Sequence, residues 1–318
     1  MNPLPVEYSD FGRSFLRKLI YFDVFSHPLL AEEIVEYCDL PGIDKTEGMN
    51  VLEALKARKL INCESEFYFI GDDYAKVARR MEANKLASLR MNDARKYASI
   101  AANFPFVRAV LISGTLSKQV MKPESDIDFF IVTEPGKLWL CRALLTLYKK
   151  LVLGGSHRNF CLNYFIDSNN LEIPDKNIFT ATELVTLLPM YNYPLYKIFM
   201  SRNNWVSAEF PNFKLRPEEY DVRPGFAKKV LEYILNNPLG SSLDGLSFSV
   251  ILGFWKRKFR HLSKKNFSLN FRSQKNVSKH HPNAFQEKVV NKYYEKITTF
   301  EQSTGFQITP SGEYKIAQ

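Results

Sequence analysis

The 318-residue chain is poor in the residues that build metal clusters and disulfide frameworks. Its five histidines are scattered except for the pair His280-His281, and no two cysteines have the C-x-x-C spacing of a zinc or redox motif. We therefore expect no zinc site. The cysteines lie within apolar segments, which predicts buried, reduced thiols in an intracellular protein. They are Cys38, Cys63, Cys141 and Cys161.

Long apolar runs are also missing. No run approaches the ~18–20 residues that a membrane-spanning helix needs, so we expect no membrane span. The N-terminus, MNPLPVEYSDFGRSF, lacks the basic and then apolar segments of a secretory signal peptide. These absences predict a cytoplasmic protein. The 45% hydrophobic and 24% charged residues are ordinary for a soluble globular chain.

The net charge of +9 is distributed unevenly along the chain. Residues 1–75 carry 7 basic and 14 acidic side chains, a net charge of −7, whereas residues 245–286 carry 9 basic and no acidic ones. The basic segment 256–279 interleaves its charges with phenylalanines, a pattern that suits RNA or another polyanion. A solvated helix face, a linker or a membrane-surface segment has the same composition.

The N-terminal region has the pattern of a winged helix-turn-helix. Apolar residues at helical spacing predict helices over 14–25, 29–38 and 45–58. Asp44 and Glu47 have the spacing of a capping box at the start of the third helix. The segment KLINCESEFYFI then predicts two short strands around a turn. Because DNA affinity depends on neutralised phosphates, the charge of −7 makes DNA binding less expected than protein docking or a structural role.

The rest of the chain alternates helices and strands. Residues 73–103 contain no proline or glycine and predict one long or once-broken helix. The segments FPFVRAVLIS, DIDFFIVT and FCLNYFI predict three strands, with an amphipathic helix between the last two. Further helices are expected after residue 178. The order predicts an α/β (α+β) fold.

The stretch ISGTLSKQVMKPESDIDF, residues 112–129, is flanked by apolar strands. On a strand, Asp126 and Asp128 point to one face about 6–7 Å apart and repel each other. A bound Mg²⁺ relieves this repulsion, since it prefers carboxylate and phosphate oxygens. Upstream, Gly114 lets a phosphate approach the backbone and the Thr115 hydroxyl can donate to it. For the Asp-x-Asp pair alone, two surface aspartates are the alternative.

This stretch resembles the signature of the polymerase-β-like nucleotidyltransferase superfamily, and is most similar to small bacterial domains of the minimal and antibiotic-modifying type. The resemblance is specific over residues 112–133 and covers roughly residues 85–215. It implies a mixed β-sheet flanked by helices that binds a nucleoside triphosphate, for which we expect ATP, and two Mg²⁺ ions. In that scheme Asp126 and Asp128 are catalytic and hold the metals. The Gly-Thr pair, whose threonine stands where the family usually has serine, holds the β- and γ-phosphates.

The family also uses a third carboxylate, on a neighbouring strand, to activate the acceptor hydroxyl. In FCLNYFID the candidate third-acid position is Asn163, and an amide is neither a base nor an anionic ligand. Asp167 continues the same alternation and is our prediction for the third catalytic residue. Glu183 is a later alternative, and a site with two carboxylates is another.

The resemblance implies transfer of a nucleoside monophosphate from a triphosphate to a hydroxyl acceptor that the sequence does not name. We expect Ser113, Lys118 and Ser125 to assist in nucleotide binding, and Lys122 lies in the same loop. The alternative is a catalytically weakened, nucleotide-binding regulatory protein whose winged helix binds protein or DNA.

Four parts of the chain follow from these patterns. They are a winged-helix-like module at 1–75, a linking helix at 76–104, a nucleotidyltransferase-like domain at 105–215 and a helical, basic C-terminal region at 216–318.

Overall fold

The structure is a computed structural model that describes residues 6–218, 220, 222–263, 267, 271–279 and 285–309. Within these ranges the helices are α1 (Val6–Asp23), α2 (Ala31–Tyr37), α3 (Lys45–Ala57), α4 (Ala75–Ala102), α5 (Gly114–Ser117), α6 (Leu138–Val152), α7 (Ile178–Val185), α8 (Tyr193–Arg202), α9 (Phe226–Leu235), α10 (Pro238–Lys258) and α11 (Phe285–Thr304). The strands are β1 (Leu29–Leu30), β2 (Asn62–Glu64), β3 (Phe67–Phe69), β4 (Val107–Ser113), β5 (Asp128–Thr133), β6 (Cys161–Asp167), β7 (Leu188–Tyr191), β8 (Ser273–Gln274) and β9 (Val277–Lys279). None of these helices is long and apolar enough to span a bilayer.

The N-terminal module has the predicted three helices, followed by a hairpin that completes a small antiparallel sheet in the order β1-β3-β2. The Asp44 carboxylate accepts a hydrogen bond from the backbone N–H of Glu47 at 2.8 Å, and the Glu47 carboxylate accepts one from the N–H of Asp44 at 3.3 Å. This capping box satisfies two amides at the start of α3. The helix then buries Val51, Leu52 and Leu55 beside α1 and α2. The predicted order of three helices followed by a hairpin is confirmed.

The main sheet has six strands in the order β7-β4-β5-β6-β9-β8. Only the β5–β6 pair is parallel, and α6 provides the crossover that a parallel connection needs. All other neighbours are antiparallel. The sheet is therefore mixed, as expected. It brings the ends of β4 and the start of β5 together, which places the two halves of the 112–129 stretch side by side.

Both faces of the sheet are covered, which explains the nearly continuous apolar sequences of β4 and β5. On one face Leu111 and Phe130 share a core with the N-terminal module, α7, α8 and α11. On the other face Ile112 and Phe129 share a core with α4, α6 and α10. The N-terminal module is thus packed onto the sheet and takes part in one of its two cores.

The C-terminal region is helical as expected but also adds a hairpin to the sheet. Strand β9 pairs antiparallel with β6, with Lys279 opposite Tyr164, and β8 follows at the edge. The region 216–318 therefore shares a sheet with residues 105–215. These strands are short and polar, so the sequence has no alternation of apolar residues that would predict them.

The basic segment 256–279 does not present its aromatic rings as a stacking surface. The rings of Phe259 and Phe271 pack together at 4.4 Å between centroids, and both belong to the core that contains α6 and α10. Residues 264–266 and 268–270 lie outside the described residues. Because these rings pack in the core, they are not available to stack on RNA bases and no longer favour RNA binding. The basic residues at the end of α10 remain exposed.

Candidate active site

Gly114 and Asp128 meet because β4 and β5 are antiparallel neighbours, with Ser113 opposite Asp128. Strand β4 ends at Ser113, and the single-turn helix α5 begins at Gly114, whose φ of 72° favours glycine. A Cβ added to Gly114 would overlap the Asp128 carboxylate. Glycine at this position is what allows the carboxylate to lie against the start of α5.

A cavity of about 590 Å³ opens at this junction, bounded by the sheet, α7 and the N-terminal module. Its size is typical of a small-molecule site. The residues singled out in the sequence that line it are Ser113, Gly114, Thr115, Lys118, Asp126, Asp128, Asn163 and Glu183. Ser125, Lys122 and Asp167 do not line it. Most of the predicted groups therefore surround one cavity, although they come from separate segments.

The Asp128 carboxylate is in an unfavourable environment for negative charge. Burial raises its pKa to about 7, and the nearby charges of Glu183 and Asp126 act in the same direction. A hydrogen bond with the Cys161 thiol and the charge of Lys118 act in the opposite direction without offsetting the rise. A bound cation would reverse this balance, because it favours the ionised form.

Asp126 lies in the loop before β5 rather than on the strand, since β5 begins at Asp128. It still lines the same cavity as Asp128. The sequence placed both carboxylates on one face of a strand. In the structure they line one cavity even though Asp126 precedes the strand.

Lys118 connects the Gly-Thr turn to α7. Its ammonium donates to the carbonyl oxygen of Gly114 at 3.1 Å and pairs with the Glu183 carboxylate at 2.8 Å. Both side chains are largely removed from water. Glu183, and not a residue of β6, is therefore the carboxylate that joins Asp126 and Asp128 on the Lys118 side of the cavity. Asp175 also lines the cavity, but it pairs with Arg272 and Lys279.

Asp167, our prediction for the third catalytic residue, does not line the cavity. In the parallel β5–β6 pair Asp128 lies opposite Cys161. Asp167 lies opposite Thr133 at the far end, six residues along β6 from Cys161 or about 20 Å. Its carboxylate accepts a hydrogen bond from the backbone N–H of Asn169 at 3.0 Å, and it stabilises the turn after the strand.

Asn163 lines the cavity at an irregularity of β6. The register shifts there, so Asn163 is an extra residue between Leu162 and Tyr164 with no partner on β5. The bulge reverses the alternation beyond it, because Tyr164 packs on the side of the N-terminal module and Phe165 on the opposite side. The alternation that linked Asn163 to Asp167 in the sequence is therefore interrupted in the fold.

The hydroxyl residues of the motif divide into two groups. Ser113 and Thr115 line the cavity, and the Ser113 hydroxyl lies 3.5 Å from the backbone oxygen of Asp128. Ser125 instead accepts a hydrogen bond from the backbone N–H of Lys122 at 3.0 Å. Ser125 therefore orders the loop before β5 and does not line the cavity.

Two residues that line the cavity, His157 and Cys161, were not predicted as site residues from the sequence. A ring nitrogen of His157, the Cys161 Sγ and a carboxylate oxygen of Asp126 lie within 4.8 Å of one another. Burial, followed by the charge of Asp128, raises the pKa of the Cys161 thiol. His157 comes from the polar loop GGSHRNF, which gave no signal. Cys161 lies two residues before Asn163, and residues two apart on a regular strand point to the same face. This spacing is the signal for Cys161 in the sequence.

The N-terminal module forms part of the cavity wall through Phe22, Phe25 and His27. His27 is buried, and its Nδ1 lies 2.7 Å from a guanidinium nitrogen of Arg80. Burial, together with the charges of Arg80 and Lys118, lowers the pKa of His27 well below its usual value. His27 is therefore neutral at physiological pH and contributes a polar but uncharged wall.

No family model matches the chain, and neither the curated proteins nor the solved structures contain a match to it. The residues of the cavity and the motif that they form are therefore what indicates a function for this chain.

Proposed function

We propose that the protein is a Mg²⁺-dependent nucleotidyltransferase of the polymerase-β-like type, which moves a nucleoside monophosphate from a nucleoside triphosphate to a hydroxyl acceptor. The observation that carries the proposal is the apposition of Gly114 and Asp128. A turn without a side chain lies directly beside a carboxylate whose pKa is raised to about 7, inside a cavity. Two ordinary surface aspartates need no such arrangement.

The residues present suit Mg²⁺ and a triphosphate. Asp126 and Asp128 offer the carboxylate oxygens that Mg²⁺ prefers beside phosphate oxygens. Mg²⁺ bound there supplies positive charge for the triphosphate and for the leaving pyrophosphate. The Thr115 hydroxyl and the Lys118 ammonium donate hydrogen bonds to phosphate oxygens. ATP is the nucleotide that we expect.

Glu183 is the residue that we assign to take the proton of the acceptor hydroxyl. Its carboxylate is paired with Lys118 at 2.8 Å. A triphosphate competes for that ammonium because phosphate oxygens accept strong charge-assisted hydrogen bonds. Loss of the ion pair leaves the Glu183 carboxylate free to accept the proton of the acceptor hydroxyl. The acceptor oxygen then bonds to the α-phosphorus, and the bond from that phosphorus to pyrophosphate breaks.

A transfer assay tests the proposal. The protein is incubated with radiolabelled ATP, Mg²⁺ and a cell extract as the source of acceptor, beside Asp128→Asn and Asp126→Asn. We expect label transfer by the wild type and a loss of at least about 100-fold in both variants. Glu124→Gln changes an exposed carboxylate of the same loop and serves as the matched control. Equal transfer by all four proteins would overturn the proposal.

Asn163 favours a second candidate, a nucleotide-binding regulatory protein with a weakened transferase site. An amide lines the cavity where the resembling family has an acid. This candidate predicts Mg²⁺-dependent ATP binding without transfer to any component of the extract. Asp128→Asn would abolish binding in either case, so the transfer measurement separates the two.

A further inference from the structure

The outward side of α10 carries large apolar side chains in one line. Leu246, Val250 and Phe254 follow at i, i+4 spacing and are 57% to 61% exposed. Residues four apart lie on the same side of a helix, so the three side chains form a continuous stripe. The opposite side of α10 is inward, with Asp244 and Trp255 buried.

The last turns of α6 extend this stripe. Helices α6 and α10 pack side by side, and the Lys150 ammonium lies 5.8 Å from the centre of the Phe254 ring. Leu147 and Leu151, one turn apart beside Lys150, are also exposed. The α6–α10 face is the surface formed by Leu147, Leu151, Leu246, Val250 and Phe254. Contiguous exposed apolar surface of this kind marks an interaction site.

The exposed charged side chains of α6 and of residues 245–263 are all positive. They belong to Lys150, Lys256, Arg257, Lys258 and Arg260. Helix α6 contains no acidic residue. Residues 226–260 contain two, and both are directed inward. Glu232 pairs with Arg108 at 2.7 Å, and Asp244 accepts a hydrogen bond from the N–H of Leu140 at 2.8 Å.

We propose that the α6–α10 face docks on a lipid bilayer with anionic headgroups. Leucine, valine and phenylalanine side chains leave water when they enter the boundary between headgroups and acyl chains. The basic side chains at the C-terminal ends of α6 and α10, which form the basic cluster, are attracted by the negative surface potential of anionic lipid. No residue of the face lines the cavity, so the proposal stands whatever chemistry the cavity performs.

The charge pattern argues against a second copy of the chain as the occupant. A symmetric dimer brings the same surface of each copy together. Two such faces would bring their basic clusters to one interface with no outward carboxylate from α6 or residues 226–260 to oppose them. Nucleic acid would neutralise the basic cluster but would leave the apolar stripe without a partner.

Co-sedimentation of the full chain with lipid vesicles tests the proposal. One set of vesicles contains phosphatidylcholine with about one-third phosphatidylglycerol, and the other contains phosphatidylcholine alone. We expect binding to the anionic vesicles to exceed binding to the neutral ones by about tenfold at low salt, and to weaken as salt is added.

Leu246→Glu and Phe254→Glu place carboxylates within the face and should each lower binding by about tenfold. Leu89→Glu is the matched control, because Leu89 on α4 is 66% exposed and Leu246 is 60% exposed. Arg257→Gln combined with Arg260→Gln should weaken binding and reduce its dependence on salt. All replaced side chains are exposed. Thermal unfolding followed by circular dichroism tests whether each variant folds.

Three outcomes would overturn the proposal. The first is no sedimentation of the wild type with anionic vesicles at low salt. The second is equal binding by the wild type and Leu246→Glu. The third is a dimer in size-exclusion chromatography that Leu246→Glu converts to a monomer, which assigns the face to a second copy of the chain.

Discussion

The Asp128 carboxylate occupies the space that a side chain on Gly114 would need. The two residues are fourteen positions apart in the chain, and the antiparallel pairing of β4 with β5 brings them together. The positive φ of Gly114 turns the chain into α5 at the same point. A single glycine therefore serves both the backbone turn and the position of the carboxylate.

Gly114→Ala should lose nucleotide binding as well as stability. The alanine Cβ both opposes the positive φ and displaces the Asp128 carboxylate. The backbone effect alone costs about 1–2 kcal/mol, and displacement of the carboxylate adds to it. We expect urea unfolding to give a larger loss than this, and calorimetry to give no ATP binding in the presence of Mg²⁺.

Gly136→Ala is the matched control for this experiment. Gly136 has the same φ of 72°, but an added Cβ there meets nothing within 4 Å. Its free energy of unfolding should fall only by the cost of the positive φ. It should bind ATP like the wild type. Equal losses of stability and of ATP binding in Gly114→Ala and Gly136→Ala would show that the contact with Asp128 influences neither.

Binding of Mn²⁺, used as a probe for Mg²⁺, should strengthen as the pH rises towards 7. Asp128, with its pKa of about 7, holds a proton that must leave before the carboxylate can ligate a metal. Affinity should rise by up to about tenfold per pH unit below pH 7 and level off above it. Titration calorimetry at several pH values measures this. An affinity that is constant from about pH 5 to about pH 8 would contradict it.

The same shift predicts how stability without metal depends on pH. The pKa of Asp128 is raised from 3.8 to about 7 on folding, so between these values the folded chain holds a proton that the unfolded chain has lost. The free energy of unfolding should therefore fall as the pH rises through this window. Asp128→Asn removes this effect and should be the more stable protein above about pH 7, by on the order of 1–3 kcal/mol. Glu124→Gln should follow the wild type throughout.

Glu183→Gln should separate binding from transfer. The amide keeps the size of the side chain but cannot accept the proton of the acceptor hydroxyl. We expect at least about 100-fold slower transfer, a typical effect of losing a general base, with ATP affinity changed by less than about tenfold. Asp167→Asn is the control, since Asp167 lies at the far end of β6. Slower transfer in Asp167→Asn than in Glu183→Gln would refute the assignment.

The sequence predicts that Gly114, Thr115, Asp126 and Asp128 lie at one site, and all four line one cavity. This was predictable because they occur within one short stretch. Strand β4, the Gly-Thr turn and Asp128 are local features, and their apolar flanks specify the strands without tertiary information. The resemblance adds a mixed sheet, and such a sheet is present. The capping box of Asp44 and Glu47 was equally accessible, since its spacing is a local signal.

The position of the Glu183 carboxylate was harder to predict, because it depends on long-range geometry. The bulge at Asn163 reverses the alternation of β6, and nothing in FCLNYFID indicates where the register shifts. Glu183 reaches the cavity on α7, a helix that packs above the sheet. The strand β9 was not predicted for a similar reason. It is short and polar, and it forms a strand because it pairs with β6, which is distant in the sequence.

Zinc should compete with magnesium for Asp126. The His157 ring, the Cys161 thiol and the Asp126 carboxylate provide nitrogen, sulfur and oxygen donors within 4.8 Å, a set that suits Zn²⁺ or Co²⁺ better than Mg²⁺. We expect Zn²⁺ to inhibit Mg²⁺-dependent transfer, because one carboxylate cannot serve both ions. The inhibition should strengthen with pH, since burial and Asp128 raise the pKa of the Cys161 thiol that must ionise.

Cobalt makes this competition visible without an activity assay. Co²⁺ bound to a thiolate gives a near-ultraviolet charge-transfer band, which Cys161→Ser should remove and which His157→Gln should weaken. Cys63→Ser changes a partly exposed cysteine of β2 outside the cavity and should leave the band unchanged. Relief of zinc inhibition in Cys161→Ser, with transfer in Mg²⁺ preserved, would place Zn²⁺ on the thiol side of Asp126. Zinc inhibition of equal strength in Cys161→Ser and wild type would show that the thiol takes no part.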